Sequence, residues 1–284
     1  MKKIKSGVYI ENSYPGVIIG AVPLGEAVLL IDAPLRPDDG RSWLATLRGI
    51  KGGADRLLVY LDSHTDRTLG GRVLESTIIA HENVLREFEN RSSIFKAQIP
   101  ESGTEWEACT GLSGIRWMSP HLAFSDRANL QWKDTQIILE HHPGPDEGAI
   151  WVNLPEEQVV FIGDLVSLSQ PPYLSNADLV AWEDSLDLLS KNYKNYTIIS
   201  SRDGIVADRE IKEMKKFTSS LHKQLERMAR RNNSLQNIEK MVDKLLSQFK
   251  FEARYRNQYH QRLQHGLSQC YTLRYLKLKD DRSI

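Results

Sequence analysis

The stretch that decides the fold runs Leu57-Leu58-Val59-Tyr60-Leu61-Asp62-Ser63-His64-Thr65-Asp66-Arg67-Thr68-Leu69-Gly70-Gly71. Its first five residues form an apolar run of strand length, and its last two are glycines. Between them, three side chains able to ligate a metal, Asp62, His64 and Asp66, fall at alternate positions. A strand sends alternate side chains to one face. Continued extended geometry therefore puts all three on one side of the strand's end. Three later segments also close apolar, strand-like runs: Glu140-His141-His142-Pro143-Gly144, Phe161-Ile162-Gly163-Asp164 and Ser201-Arg202-Asp203-Gly204. Four such endings spread along the chain predict a single metal-binding cleft.

On these residues the chain resembles the metallo-β-lactamase-fold hydrolase superfamily over roughly residues 5 to 210. The family signature reads His-x-His-x-Asp-His, then a His before Pro-Gly, then Gly-Asp, then a last His in a Gly-His-Gly turn. Order, spacing and strand context match, but several identities differ. Asp62 stands at the first His, His64 and Asp66 are retained, and Arg67 replaces the final His of the first segment. His141 stands at the third His position and Pro145 at the second His that often closes the Pro-Gly motif. Asp164 stands at the bridging Asp, and Asp203 aligns with the last His. The resemblance implies an α+β fold, a four-layer αβ/βα sandwich with the site at one edge of the sheets.

The resemblance further implies a divalent ion. Asp62, His64 and His141 make a set of two imidazoles and one carboxylate, suited to zinc, iron(II) or manganese. Asp66, Asp164 and Asp203 would gather at a neighbouring position, where three carboxylates favour a harder ion. Four aspartates crowded into a partly dry cleft need compensating positive charge. Arg67 cannot ligate a metal and stays protonated. Beside Asp66 and Asp164 it would take the second metal's space through ion pairs, so one ion is expected rather than two. The implied chemistry is hydrolysis, with metal-activated water attacking an ester, thioester, lactone or phosphoester. Asp66 would orient that water or take its proton, and Arg67 would bind a substrate anion. Open alternatives are an iron oxidoreductase or dioxygenase, a dinuclear site, and a metal-free descendant that uses the fold for binding or assembly.

The rest of the chain supplies a body for such a site. Val8 to Ile10, Gly16 to Gly20 and Ala27 to Asp32 read as a meander of short strands, with Asp32-Ala33-Pro34 closing the third. Helices are expected near 41–49, 83–88 and 179–189, and strands at 130–132, 135–140, 149–154, 159–163 and 196–200. Residues 98–120 are irregular. Gly70-Gly71 marks a close backbone approach, since no Gly-rich nucleotide motif surrounds it. His142 should point away from His141, and His81 reads as a helix-start or packing residue.

From Asp208 onward the period becomes helical. Ile211, Met214, Phe217, Leu221, Leu225 and Met228 form one apolar stripe; Leu235, Ile238, Met241, Leu245 and Phe249 form a second; Phe251, Tyr255, Tyr259, Leu263 and Leu267 form a third. The expected division is a metallo-β-lactamase-like domain over 1–206 and a basic extension of about three helices over 207–284. The 284 residues carry no net charge, with 37 basic and 37 acidic side chains. From Ala207 onward there are 18 Lys+Arg against 9 Asp+Glu, which leaves 19 against 28 before it. Such a tail suits core packing or homodimer formation. A nucleic-acid-processing role is the lesser alternative, because no aromatic stacking platform accompanies the charge. No apolar run approaches the ~18 to 20 residues that span a bilayer. The two cysteines, Cys109 and Cys270, exclude a disulfide scaffold. A small-molecule substrate and a cytoplasmic location are the expectation.

Overall fold

A computed structural model describes residues 1–5, 7–50, 55–96, 102–231 and 236–276. Strands β1 (Lys2–Lys5), β2 (Val8–Glu11), β3 (Ile19–Leu24), β4 (Ala27–Ile31), β5 (Asp55–Val59), β6 (Thr77–His81) and β7 (Leu122–Phe124) form one sheet in chain order. Its first four strands pair antiparallel, and β4 to β7 pair parallel. The parallel half needs crossovers, supplied by α1 (Pro37–Leu47), the single turn α2 (Thr65–Thr68) and α3 (Glu82–Asn90). The second sheet runs β13-β12-β11-β10-β9-β8. Its strands are β8 (Arg127–Trp132), β9 (Thr135–His141), β10 (Ile150–Leu154), β11 (Val159–Phe161), β12 (Thr197–Ser200) and β13 (Gly204–Val206). β11 and β12 pair parallel, joined by α4 (Leu179–Asn192).

Period-two alternation assigns the two faces of each sheet. In β4, Leu29 and Ile31 turn inward and join Ile150, Val152 and Leu154 of β10 in the core between the sheets. Val28 and Leu30 turn the other way, onto Trp43 and Leu47 of α1 and Val84 and Phe88 of α3. Trp151, on the outer face of β10, joins Trp182, Leu186 and Leu189 of α4. Two sheets with helices on both outer faces make the αβ/βα sandwich.

Local chemistry sets the helix ends. α1 begins on Pro37 with Asp38 and Asp39 in its first turn, where a missing N–H costs nothing and negative charge meets the helix dipole. The Asp178 carboxylate caps α4 by accepting from the N–H groups of Val180 and Ala181, both 3.0 Å away. A Cβ on Gly70 would collide with the Pro34 carbonyl oxygen, and one on Gly71 with the Tyr60 hydroxyl. Close backbone approach explains both glycines.

Among the described residues, α5 (Asp208–Arg230), α6 (Gln236–Leu246) and α7 (Arg256–Cys270) follow. The full stripe from Ile211 to Met228 is buried. These helices share one apolar cluster with α4 and the outer face of the second sheet. The third stripe is only partly helical. Phe251 and Tyr255 precede α7 and pack their rings on Tyr259, with centroids 5.0 and 5.5 Å away. The start of the second stripe, at Leu235, lies outside the described residues. Among the described residues, no helix is long and apolar enough to cross a membrane.

Candidate functional site

Four strand ends deliver the cleft: Asp32 follows β4, Asp62 follows β5, Asp164 follows β11 and Arg202 follows β12. A backbone bond from the Ile150 N–H to the Leu61 carbonyl, at 2.9 Å, ties the two sheets together there. The extended geometry expected through Asp66 does not persist. β5 ends at Val59, and α2 begins at Thr65 with His64 at its N-cap position. Asp62 and His64 still meet, because the Asp62 Oδ1 accepts from the His64 N–H at 2.9 Å and from its ring Nδ1 at 2.8 Å. Asp66 and Arg67 sit on a helical turn instead, and leave in different directions.

The Arg67 guanidinium is wholly buried. Its Nε lies 3.0 Å from Asp62 Oδ1, its Nη1 donates to Asp32 Oδ2 at 3.2 Å, and its Nη2 donates to Asp164 Oδ1. Arg202 forms the second half of this lattice. Its Nε and Nη2 donate to the two Asp164 oxygens at 2.9 and 2.8 Å, and its Nη1 donates to Asp66 Oδ2 at 2.6 Å. A guanidinium fork matches a carboxylate in this bidentate way. Asp32 is anchored further by the Leu61 N–H at 2.9 Å, and holds a left-handed backbone conformation with φ of 58°. Such conformations in a residue other than glycine carry strain and cluster at functional sites.

Charge regulation follows from this geometry. Burial pushes the Asp32 carboxyl up to about 7, against the pull of Arg67. Burial also opposes ionisation of Asp164, but Arg202 and Arg67 outweigh it and hold the carboxyl well below the usual range. Asp62 is likewise held low by Arg67 and His64 in spite of its burial. Burial disfavours the His64 cation, yet Asp62 raises its pKa to about 9. Burial and the nearby Asp62 raise Asp146.

Two expected ligands lie elsewhere. The His141 Nε2 donates to the Glu147 carbonyl at 2.8 Å, and its ring stacks on His81 with centroids 3.7 Å apart. His141 is still within β9, so the strand's pleat fixes its direction. Asp146, five residues later, enters the cleft instead and meets the Ser63 hydroxyl at 3.4 Å. Asp203 is turned into a loop, where it accepts from the N–H groups of Leu168 at 2.6 Å and Ser169 at 3.1 Å. Its neighbour Arg202 takes the inward direction. Asp32, Asp146 and Arg202 are not among the expected site residues, although each adjoins a strand ending or motif. The need for compensating charge was the signal that could have found Arg202.

No family model matches the chain, and no curated relative matches it. Solved structures do. A metallo-beta-lactamase from Pontibacter korlensis superposes with a TM-score of 0.61 at 17% identity, covering 77% of this chain and 97% of that one. A metallo-beta-lactamase from Hirschia baltica gives 0.56 at 14% identity, covering 76% and 96%. The stereoselective inverting sec-alkylsulfatase Pisa1 from Pseudomonas sp. gives 0.73 at 13% identity, covering 96% of this chain and 50% of that one. The chain has the metallo-β-lactamase fold. At these identities the similarity is one of architecture, and the chain spans about half the length of the alkylsulfatase.

The metallo-β-lactamase fold, together with one clustered trio, points to a divalent ion. Ligand atoms of Asp62, His64 and Asp164 lie within 4.8 Å of one another. A catalytic metal needs about three protein ligands with free lone pairs and an open position. Here Asp62 Oδ1 already receives two N–H bonds from His64 and faces Arg67 Nε, while both Asp164 oxygens receive guanidinium protons. His141 and Asp203 are held by other partners. Two permanent cations stand where an ion would have to approach. The trio is close enough for an ion, but its donor atoms as held here do not fit one.

Proposed function

We infer that this chain is a metal-independent member of the fold, which uses its cleft to bind a small polar ligand rather than to activate water on an ion. One observation carries this reading. The buried Arg67 contacts Asp32, Asp62 and Asp164 together, and Arg202 closes the remaining side of Asp164 and reaches Asp66. The crowded carboxylates therefore have their compensating positive charge from within the chain. Removing one partner from such a buried pair typically costs about 3–5 kcal/mol, so the lattice resists opening for an ion.

Metal analysis of the purified full chain, after exposure to zinc, manganese and iron(II) and removal of excess, tests the reading. The expected result is far less than one equivalent of any of them, with a melting temperature unchanged by chelator. One tightly held equivalent that disappears in His64→Ala would overturn it.

A second reading is favoured by the 4.8 Å spacing of Asp62, His64 and Asp164. It makes the chain a mononuclear metallohydrolase of an ester, thioester, lactone or phosphoester. Both guanidiniums would then have to withdraw before the ion enters, and the same metal analysis decides between the two.

A further inference from the structure

Beside the arginine–carboxylate lattice the cleft keeps a cavity of about 130 Å³. Two segments outside the sheets contribute to its wall: residues 102–107 through Thr104 and Trp106, and residues 170–176 through Tyr173 and Asn176. They stand far apart in sequence, and both rest on α7. A Cβ on Gly103 would fall 2.2 Å from the Gln258 carbonyl oxygen and 2.5 Å from the Arg262 backbone nitrogen, so the first segment touches the helix backbone. A Cβ on Gly266 of α7 would come within 3.1 Å of Leu174, in the second. Glycine at both places permits this approach.

One side chain bonds to the two segments together. Arg262, on α7 and 1% exposed, donates from Nε to the Gly103 carbonyl at 2.9 Å. Its Nη1 donates to Gln170 Oε1 at 2.5 Å and to the Pro171 carbonyl at 3.2 Å. Its guanidinium carbon lies 4.3 Å from the centroid of the Tyr173 ring. Tyr173 in turn lies against the cleft's own groups, with its ring centroid 5.0 Å from that of His64 and 4.9 Å from the Arg202 guanidinium. Gln258, one turn earlier on α7, adds a bond from Nε2 to the Thr104 carbonyl at 3.2 Å. An apolar residue would suit this place if packing were all it had to supply, since a buried guanidinium is costly unless its donors are used. The guanidinium offers instead a rigid fork of donors that reaches several acceptors at fixed angles.

We propose that Arg262 is a positioning residue of the cleft: it pins residues 102–107 and 170–173 to α7, so that the cavity has its shape only while α7 is docked. Arg262 stands behind the wall rather than in it, and acts through Thr104, Trp106 and Tyr173. The C-terminal helices thereby form part of the site as well as of the core. The same wall bounds the cleft whether it takes a polar ligand or an ion, so the pinning is independent of either chemistry.

Hydrogen–deuterium exchange and hydroxyl-radical labelling of the full chain, both read by mass spectrometry, supply the test. In Arg262→Met, amides of both segments should exchange about tenfold faster through local opening. Trp106 and Tyr173 should be labelled faster, while amides of β4 and β11 keep their rates. Arg262→Lys, which keeps the charge and loses the fork, should fall between. Leu221→Ala weakens the helical core at another place, and should leave the labelling of Trp106 and Tyr173 unchanged. Wild-type exchange in both segments of a folded Arg262→Met overturns the proposal. So does loosening of one segment alone, or the same pattern in Leu221→Ala. If Arg262→Met does not fold, Arg262→Lys decides: wild-type rates in both segments overturn the proposal, and faster exchange in both upholds it.

Discussion

Arg67 and Asp164 meet at the rim of the two sheets with both side chains out of water, 0% and 3% exposed, the guanidinium donating directly to the carboxylate. Ninety-seven residues separate them in sequence. One comes from a helical turn beside the first sheet and the other from the end of β11 in the second. The contact therefore locks the halves of the sandwich together at its functional edge.

Arg67→Met should leave Asp32 buried without a cation, with His64 still facing Asp62 and Arg202 still facing Asp164. The expected loss is about 3–5 kcal/mol in urea unfolding at neutral pH. A loss below about 1 kcal/mol would mean that the lattice is not buried in solution as described.

The stability of the chain should depend on pH with an identifiable limb on each side. Asp62 and Asp164 have folded-state pKa values below their ordinary 3.8. Their contribution is complete above about pH 4 and is lost as pH falls further. His64 is raised from 6.5 to about 9, so its contribution is complete below pH 6.5 and is lost as pH climbs through 9. Asp32, raised from 3.8 to about 7, favours the folded state in acid and adds to the decline between pH 4 and 7. Thermal melts from pH 3 to 10 should peak near pH 4 and decline above it, first through Asp32 and then through His64. His64→Gln should flatten the alkaline limb, and an unchanged limb in that variant would assign it elsewhere.

Gly70→Ala should destabilise by about 1–3 kcal/mol, as overpacking does, because the new methyl meets the Pro34 carbonyl oxygen in a rigid turn. Chemical denaturation measures it. A neutral substitution would show that the 34–36 segment yields.

Leu221→Ala, at a fully buried position of α5, should cost about 2–5 kcal/mol. Because α5 to α7 share a cluster with α4 and Trp151, the whole chain should still unfold in one transition. A separate early transition of the helices alone would show that residues 207–284 form an independent unit.

Much of this protein is legible in its sequence. The apolar run ending at Asp62, the Gly163-Asp164 ending and the switch to helical period near Asp208 all appear where the periodicities put them. Those patterns are local: a strand or helix face depends only on residues a few positions apart. The candidate site was legible in part. Asp62, His64 and Asp164 stand at strand endings in the sequence and converge in the fold, and the crowding of aspartates there demands positive charge.

What answers that demand was decided by tertiary structure. Whether Arg202 or Asp203 faces inward depends on how one loop turns after β12, and whether His141 or Asp146 enters the cleft depends on where β9 ends. A shift of one position reverses a side chain on a strand, and alternation stops predicting direction once the chain turns helical at Thr65. The sequence by itself determined that carboxylates would crowd one sheet edge, because strand endings are written in local pattern. Only the folded chain decided that two arginines meet them there, because pairing over such separations depends on how distant segments pack.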